Sequence, residues 1–540
     1  MQKIHYIFAS KLALIVLVVI AILVGAPGPS FARAAAPSGK LIWSIEGISE
    51  LSTLDSVKAT DSQTFVVINF LYGRLVKLDK DLKVAPDLAS SWKISKDGLA
   101  YTFTLRNAKF SNGKPVTADD VLYSLNYAFD PKVGGQNAPY YLSNIAGTDD
   151  FVNGKTTSIS GATAPDAKTV VLKISQPSAV FLNQLTFGFW VISKAQASTD
   201  PNWAQNPVAS GGFSVKEWKH NQGITLVPNP GYWNQSSVAE LDFQFVQDSE
   251  TAYQLYKTGA LDIMGSQQNG VPSAHIAEVA NLPDFHQVTT LATRFVGFNN
   301  MLAPFDNVKV RQAFALAIDK KTLADKVLNG AVTAADRILP PGMPGSNLSI
   351  KPLSFDASVA KKALADAGFT AQSLPPITLT YGTEGDNERV LTILQGMWKD
   401  NLGVSIKLEP MELAKFSDTL TKTFQDPKNG IQMYYSIWGA DYPDPQNFLS
   451  QQLQSTVGNN NGHWSDATFD KLTTQADALT TDDATRFKLY QQAEQIAIDK
   501  VGWLPVFFPK TNVLIRLGIK GVIINANGVA IPDYSLLKGR

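Results

Sequence analysis

The chain has 540 residues, 44% hydrophobic and 10% aromatic, enough to bury several cores and too apolar for a disordered chain. Lys plus Arg and Asp plus Glu both total 47, so no basic excess points to nucleic acid or an anionic membrane surface. There is no cysteine, which excludes a disulfide framework, a thiolate metal site, a cysteine nucleophile and a lipidated cysteine.

Residues 1–34 read as a cleaved secretory signal. Lys3 and Lys11 precede a charge-free apolar run from Leu12 to Val24, thirteen residues long. That is short for a hydrocarbon layer of ~30 Å. A Gly-Ala-Pro-Gly-Pro break and the small-x-small site Ala32-Arg33-Ala34 follow it, although an uncleaved anchor is the competing reading. Cleavage removes three bases and no acid, leaving 44 basic against 47 acidic residues, a formal charge of −3.

Short apolar alternation predicts strands at Leu41–Ile45, Ala100–Leu105 and Thr169–Ile174, with a helix over Ser62–Leu71. Thr117 with Asp120 three residues on predicts a capped helix that ends before Asp130-Pro131. In the second half, helices are predicted over Val308–Ile318, Lys320–Leu328, Ser358–Ala367, Asp386–Leu402 and Ala484–Asp499. Strands are predicted at Ile377–Tyr381, Val404–Leu408 and Trp503–Phe508. The order helix, strand, helix, strand implies a right-handed α/β unit with parallel strands.

No motif argues for catalysis. The segment from Gly161 to Lys168-Thr169 lacks the glycine before the lysine that a phosphate loop needs, and there is no HExxH, GxSxG or GxGxxG. His220, His275, His286 and His463 do not recur at three- or four-residue spacing, so they form no metal-ligand set. Carboxylates are numerous, but no spacing singles out an acid/base pair.

Two stretches carry a resemblance. Residues 85–124, opening Ala85-Pro86-Asp87-Leu88-Ala89-Ser90-Ser91-Trp92, and Trp438 to Leu449 (WGADYPDPQNFL) resemble the extracellular solute-binding proteins of peptide and nickel ABC importers. The second stretch resembles their oligopeptide-binding branch. NPGYW (Asn229 to Trp233), KTGALDI (Lys257 to Ile263), VRQAFALAIDK (Val310 to Lys320) and KKALADAGF (Lys361 to Phe369) fall between them in family order. Ser210-Gly211-Gly212-Phe213 departs from the family's Gly-Thr-Gly-Pro-Tyr turn. The absent lipobox cysteine favours a free periplasmic protein.

The resemblance implies a two-lobed α/β periplasmic-binding-protein fold of type II with an extra subdomain and a ligand cleft between the lobes. Lobe I is then 35–75, 205–293 and 505–540, the insertion is 76–204, and lobe II is 294–504, with hinge crossings near Arg294-Phe295 and Pro505-Val506. It implies a short-peptide ligand, an ABC permease with its ATPases as partner, a monomer, and neither catalysis, cofactor nor metal. A nickel chelate, an oligosaccharide or an opine is the alternative ligand on the same fold; a secreted hydrolase or a ligand-free scaffold is a different class.

Site residues follow from the same resemblance. Asp441 takes the peptide α-ammonium, a task suited to a carboxylate that offsets a desolvated charge, or else is a turn residue bonding its own backbone. Trp438 reads as a wall of a side-chain pocket or as core. Tyr140 is placed to reach the ligand from the insertion. The segment from Ala59 to Ser62 pairs with an extended peptide by strand addition, or Ser62 caps the next helix. Asp444-Pro445 reads as a helix N-cap, and Arg311 as structural.

Overall fold

The computed structural model describes residues 39–539 apart from 267, 268, 348, 458 and 532. The signal segment 1–34 lies outside the described residues. Among them, no helix is long and apolar enough to cross a membrane.

Period-two sequences form the strands. Ala100–Leu105 buries Tyr101, Phe103 and Leu105 on one face. It is the second strand of a separate antiparallel sheet ordered Ala89–Ile94, Ala100–Leu105, Thr169–Lys173, Ala162–Asp166. The helix packed beside it, Ala118–Phe129, starts with a reciprocal capping box between Thr117 and Asp120.

The main sheet has twelve strands, ten in one path and two, Phe285–Thr289 and Val332–Ala334, pairing off it with Leu504–Ile515. On one side, Lys40–Glu46 pairs in parallel with Glu240–Val246 and with Ile263–Met264. On the other, Ile377–Gly382 pairs in parallel with both Ile406–Met411 and Met433–Gly439, as the α/β order predicts. The strand Leu504–Ile515 joins the two sides. Its first residues pair with Ala292–Phe298, and Lys510 to Leu514 pair with Phe285–Thr289. The change of partner thus falls between Phe507 and Lys510, a few residues beyond the crossing read from sequence.

That strand is twice the predicted length because its polar middle is satisfied in place. Asn512 Nδ2 donates to Ala331 O at 3.2 Å, its Oδ1 accepts from Gln287 at 2.6 Å, and Lys510 Nζ donates to Gly330 O at 2.9 Å. The predicted strand at Val404 starts instead at Ile406, since Gly403 (φ +75°) ends the helix Asn387–Leu402 and Val404 N closes it on Trp398 O. The helix predicted over Lys320–Leu328 becomes one α turn followed by a π turn at Leu323–Val327.

Family-like motifs turn out to be joints. Asp87 Oδ2 accepts from Arg74 N at 2.8 Å and its Oδ1 from the Tyr232 hydroxyl at 2.5 Å, so two motifs meet at one carboxylate. At the departing turn, a Cβ on Gly211 would lie 2.5 Å from Phe70 O and one on Gly212 2.2 Å from the Tyr534 ring. Glycine is demanded there by contact, and the Asn229 side chain fastens the turn through Gly211 O at 2.9 Å. Arg311 is buried and donates to the carbonyls of Phe305, Lys500 and Val501 at 2.7, 2.8 and 3.3 Å, a structural role.

Candidate functional site

In parallel α/β sheets the crevice lies beyond the carboxyl ends of the strands. Asp441 stands there, two residues past the strand Met433–Gly439, and Glu384 stands two residues past its neighbour Ile377–Gly382. The loop after Gly439 is built around Asn447, which is fully buried. Asn447 Oδ1 accepts from Asp441 N and from Trp438 Nε1, both at 3.2 Å, while its Nδ2 donates to Asp441 Oδ2 at 3.3 Å. One buried amide therefore fixes both residues singled out in this motif.

Asp444 caps the short helix Pro445–Asn447 by accepting from Gln446 N at 3.0 Å. It also receives a bidentate pair from Arg486, Nη1 at 2.9 Å and Nη2 at 2.7 Å, with both side chains buried. The loop is thus clamped from beneath by a helix 42 residues further along the chain.

From 300 residues earlier in the chain, the Tyr141 hydroxyl donates to Asp441 Oδ2. Tyr141 lies among the rings of Tyr140, Phe187 and Tyr442 at 4.6, 5.7 and 6.0 Å, all edge-on. Tyr140, the residue picked from sequence, is exposed, and its hydroxyl accepts from Asn459 instead. Phase decides between them: in the helix Asn137–Leu142, Ala138, Tyr141 and Leu142 share the buried face. Reading that i, i+3, i+4 pattern would have picked Tyr141; Asn447 carried no signal beyond its place in the motif.

Asp441 is half-buried, and desolvation pushes its carboxyl up to about 6, with the bonds from Tyr141 and Asn447 acting the other way. Among the described residues no cationic side chain pairs with it, and it does not bond its own backbone as an isolated turn residue would. Trp438 is half-buried, on the face that packs against Phe295, Tyr434 and Trp503. Ser62 is the first residue of its helix, not the cap: Asp61 accepts from Thr64 N at 2.7 Å, and the Ser62 hydroxyl turns to Gln63. No bond links Ser62 to Asp441 among the described residues, and Ala59 N is engaged by Asp55 O at 3.1 Å.

A further contact joins distant segments of the chain. Ser273 Oγ, on the side packed around Met264, Ile276 and Leu514, donates to Asp386 Oδ2 at 3.1 Å and accepts from Arg389 Nη1 at 3.3 Å.

A model of the bacterial extracellular solute-binding proteins, family 5, matches residues 83–460. The chain belongs to this family. Its relatives include the oligopeptide-binding protein OppA of Bacillus subtilis, 30% identical over 91% of each chain. The periplasmic oligopeptide-binding protein OppA of Salmonella typhimurium is 32% identical over 88% of each chain. Among solved structures, the Escherichia coli murein tripeptide binding protein MppA superposes with a TM-score of 0.77 at 27% identity, covering 94% of this chain and 99% of that one. Peptide-bound Listeria monocytogenes OppA gives 0.74 at 26%, covering 93% and 100%. The family 5 fold is two-lobed and mixed α/β, as this sheet is.

Proposed function

We propose that this family 5 protein captures short peptides in the interlobe cleft and delivers them to the permease of an ABC importer, acting as a monomer without catalysis. The observation that carries the reading is Asp441: a desolvated carboxylate, held by Asn447 and Tyr141, with no cationic side chain paired to it among the described residues. A ligand ammonium completes that site with charge-assisted bonds, and the peptide-binding relatives support the ligand class. Trp438 and Tyr140 flank it as walls. The segment ending at Ser62 contributes backbone to an extended ligand.

We place lobe I at 35–75, 205–293 and 505–540, the insertion at 76–204 and lobe II at 294–504. The signal is cleaved after residue 34, and the mature protein is free in the periplasm without a lipid anchor. A nickel chelate, an oligosaccharide or an opine on the same fold is the competing reading. Asp441 speaks against the sugar, which brings no positive charge.

Calorimetric titration of the mature protein with di- to pentapeptides tests this. Free-amine peptides bind; N-acetylation or Asp441→Asn weakens them by about 10- to 100-fold, the worth of a hydrogen bond to a charged group. Equal affinity for acetylated and free peptides refutes the assignment of Asp441, and binding of a sugar or chelate in place of peptides refutes the ligand class.

A further inference from the structure

Asp55 lies buried in the loop between the strand Lys40–Glu46 and the helix Ser62–Leu71. Its N donates to Thr53 Oγ1 at 2.9 Å, its carbonyl accepts from Lys58 N and Ala59 N, both at 3.1 Å, and its Oδ1 accepts from Val57 N at 3.0 Å. These bonds fold residues 55–59 into a turn. The other carboxylate oxygen reaches a distant element: Oδ2 accepts from the Tyr127 hydroxyl at 2.8 Å, on the helix Ala118–Phe129. The Tyr127 ring is held in turn by Tyr123 and Trp203, each with its centroid 6.1 Å away. Burial and the Asp55 charge push the Tyr127 hydroxyl well above the ordinary tyrosine range, so it remains a donor.

The chain leaves the turn as an unpaired edge. Ala59 O, Thr60 N, Thr60 O and Asp61 N enter no hydrogen bond among the described residues, whereas Ala59 N and Asp61 O are taken by Asp55 O and Phe65 N. Asp61 is extended, with φ −102° and ψ 145°, and its side chain fixes the far end of the edge by accepting from Thr64 N and Ser52 Oγ, both at 2.7 Å. Tyr127 also begins the run of chain that ends at Asp441. That run passes Gly135, where a Cβ would lie 2.4 Å from Val57 Cγ1 and 2.9 Å from Ala128 O, and then reaches Tyr141, which donates to Asp441. Residues 127–141 therefore touch the turn at one end and the ammonium site at the other.

We propose that Asp55 and Tyr127 are positioning residues that hold the edge Ala59–Asp61 in register with Asp441 for main-chain pairing with the peptide. This deepens the peptide reading given above and rests on it. Both residues act through the turn. Binding groups have to stand within about 0.5 Å of their productive geometry, and strand addition draws its affinity from main-chain bonds of narrow length range. Removing the Tyr127 hydroxyl leaves Asp55 Oδ2 buried without that donor, a condition that the turn relieves by shifting toward water. The pair thus governs how well the protein reads the peptide backbone, whatever side chains the peptide carries.

The test titrates the mature protein with tetra-alanine, its N-acetylated form and three analogues in which one amide at a time is replaced by an ester, which removes a single N–H donor. In wild type at least one ester weakens binding by about five- to tenfold, the worth of one hydrogen bond. Tyr127→Phe, which keeps the ring, weakens tetra-alanine by about three- to tenfold and shrinks that ester penalty to about twofold or less. Acetylation weakens wild type and variant alike. Asp55→Asn gives the same pattern and keeps the outcome readable if Tyr127→Phe fails to fold, as judged by its melting curve. A purely structural role would weaken tetra-alanine and its esters equally, so an undiminished ester penalty in the folded variants overturns the proposal. So does a wild type indifferent to all three esters, while the acetylation effect keeps the peptide reading standing. No binding by any free-amine peptide overturns both.

Discussion

Asp441 lies where desolvation and function pull in opposite directions. Burial favours its neutral form and pushes its carboxyl up to about 6, while holding an ammonium requires the charged form. The groups around it, Tyr140, Tyr141 and Tyr442, have hydroxyls raised above the ordinary tyrosine range and stay neutral throughout. Peptide affinity is therefore expected to hold from about pH 7.5 down to 6 and to fall roughly tenfold per unit below that, as the carboxyl takes a proton. Titration calorimetry from pH 5 to 8 reads this directly, and a flat profile contradicts it. In the absence of ligand the same raised value makes the ionised carboxyl a liability for folding as pH rises past its ordinary range. Asp441→Asn should accordingly melt no lower than wild type at pH 7.5, which separates loss of binding from loss of fold. Sequence reasoning reached Asp441 through its motif and named Tyr140, but not its neighbour Tyr141, which bonds Asp441. Two adjacent tyrosines look alike until the helix phase turns Tyr141 to Asp441 and leaves Tyr140 more exposed, against Asn459.

At the scale of elements, local signals were legible and distant partners were not. Thr117 and Asp444 cap their helices, and Gly403 ends its own, because capping depends on residues a few positions away, whereas the cap read at Ser62 falls one residue earlier, at Asp61. The same Asp444 also needs Arg486, and nothing local in the sequence says so. The pair has both side chains about 4% exposed, so removing one partner strands a charge in the interior. Breaking such a pair costs about 3–5 kcal/mol. Arg486→Met is thus predicted to lower the melting temperature markedly and to loosen the loop that Asn447 ties to Asp441. Asp444→Asn with Arg486→Met, which leaves neither charge, should recover much of the loss. Thermal melts of the two singles and the double decide it: additive losses mean that the pair does not act as a unit. The long strand Leu504–Ile515 was read short for a related reason. Its polar middle resembles a strand end until the side chains of Gln287 and the carbonyls of Gly330 and Ala331 are brought to it by the fold.

For the whole molecule, one strand, Leu504–Ile515, is shared by both sides of the sheet, and if the proposed lobes close about it, closure is set by what bridges them. Of the bridges named above, made by Tyr140, Tyr141 and Ser273, the last two differ in kind. Tyr141 ends on the residue proposed to meet the ligand, whereas Ser273 contacts Asp386 and Arg389, beyond the proposed ammonium site. Closure on a peptide gains from both, but only the first reads what the peptide carries. Removing the second changes the fraction of molecules in the binding-competent form, and apparent affinity scales with that fraction. Ser273→Ala is therefore expected to weaken free-acid, amidated and acetylated peptides alike, by roughly three- to tenfold for one or two partly exposed hydrogen bonds. Small-angle scattering should show a larger radius of gyration for this variant in the presence of subsaturating peptide. A loss confined to one peptide class would place Ser273 in the ligand site, and an unchanged affinity would mean that the Tyr140 and Tyr141 bridges govern closure.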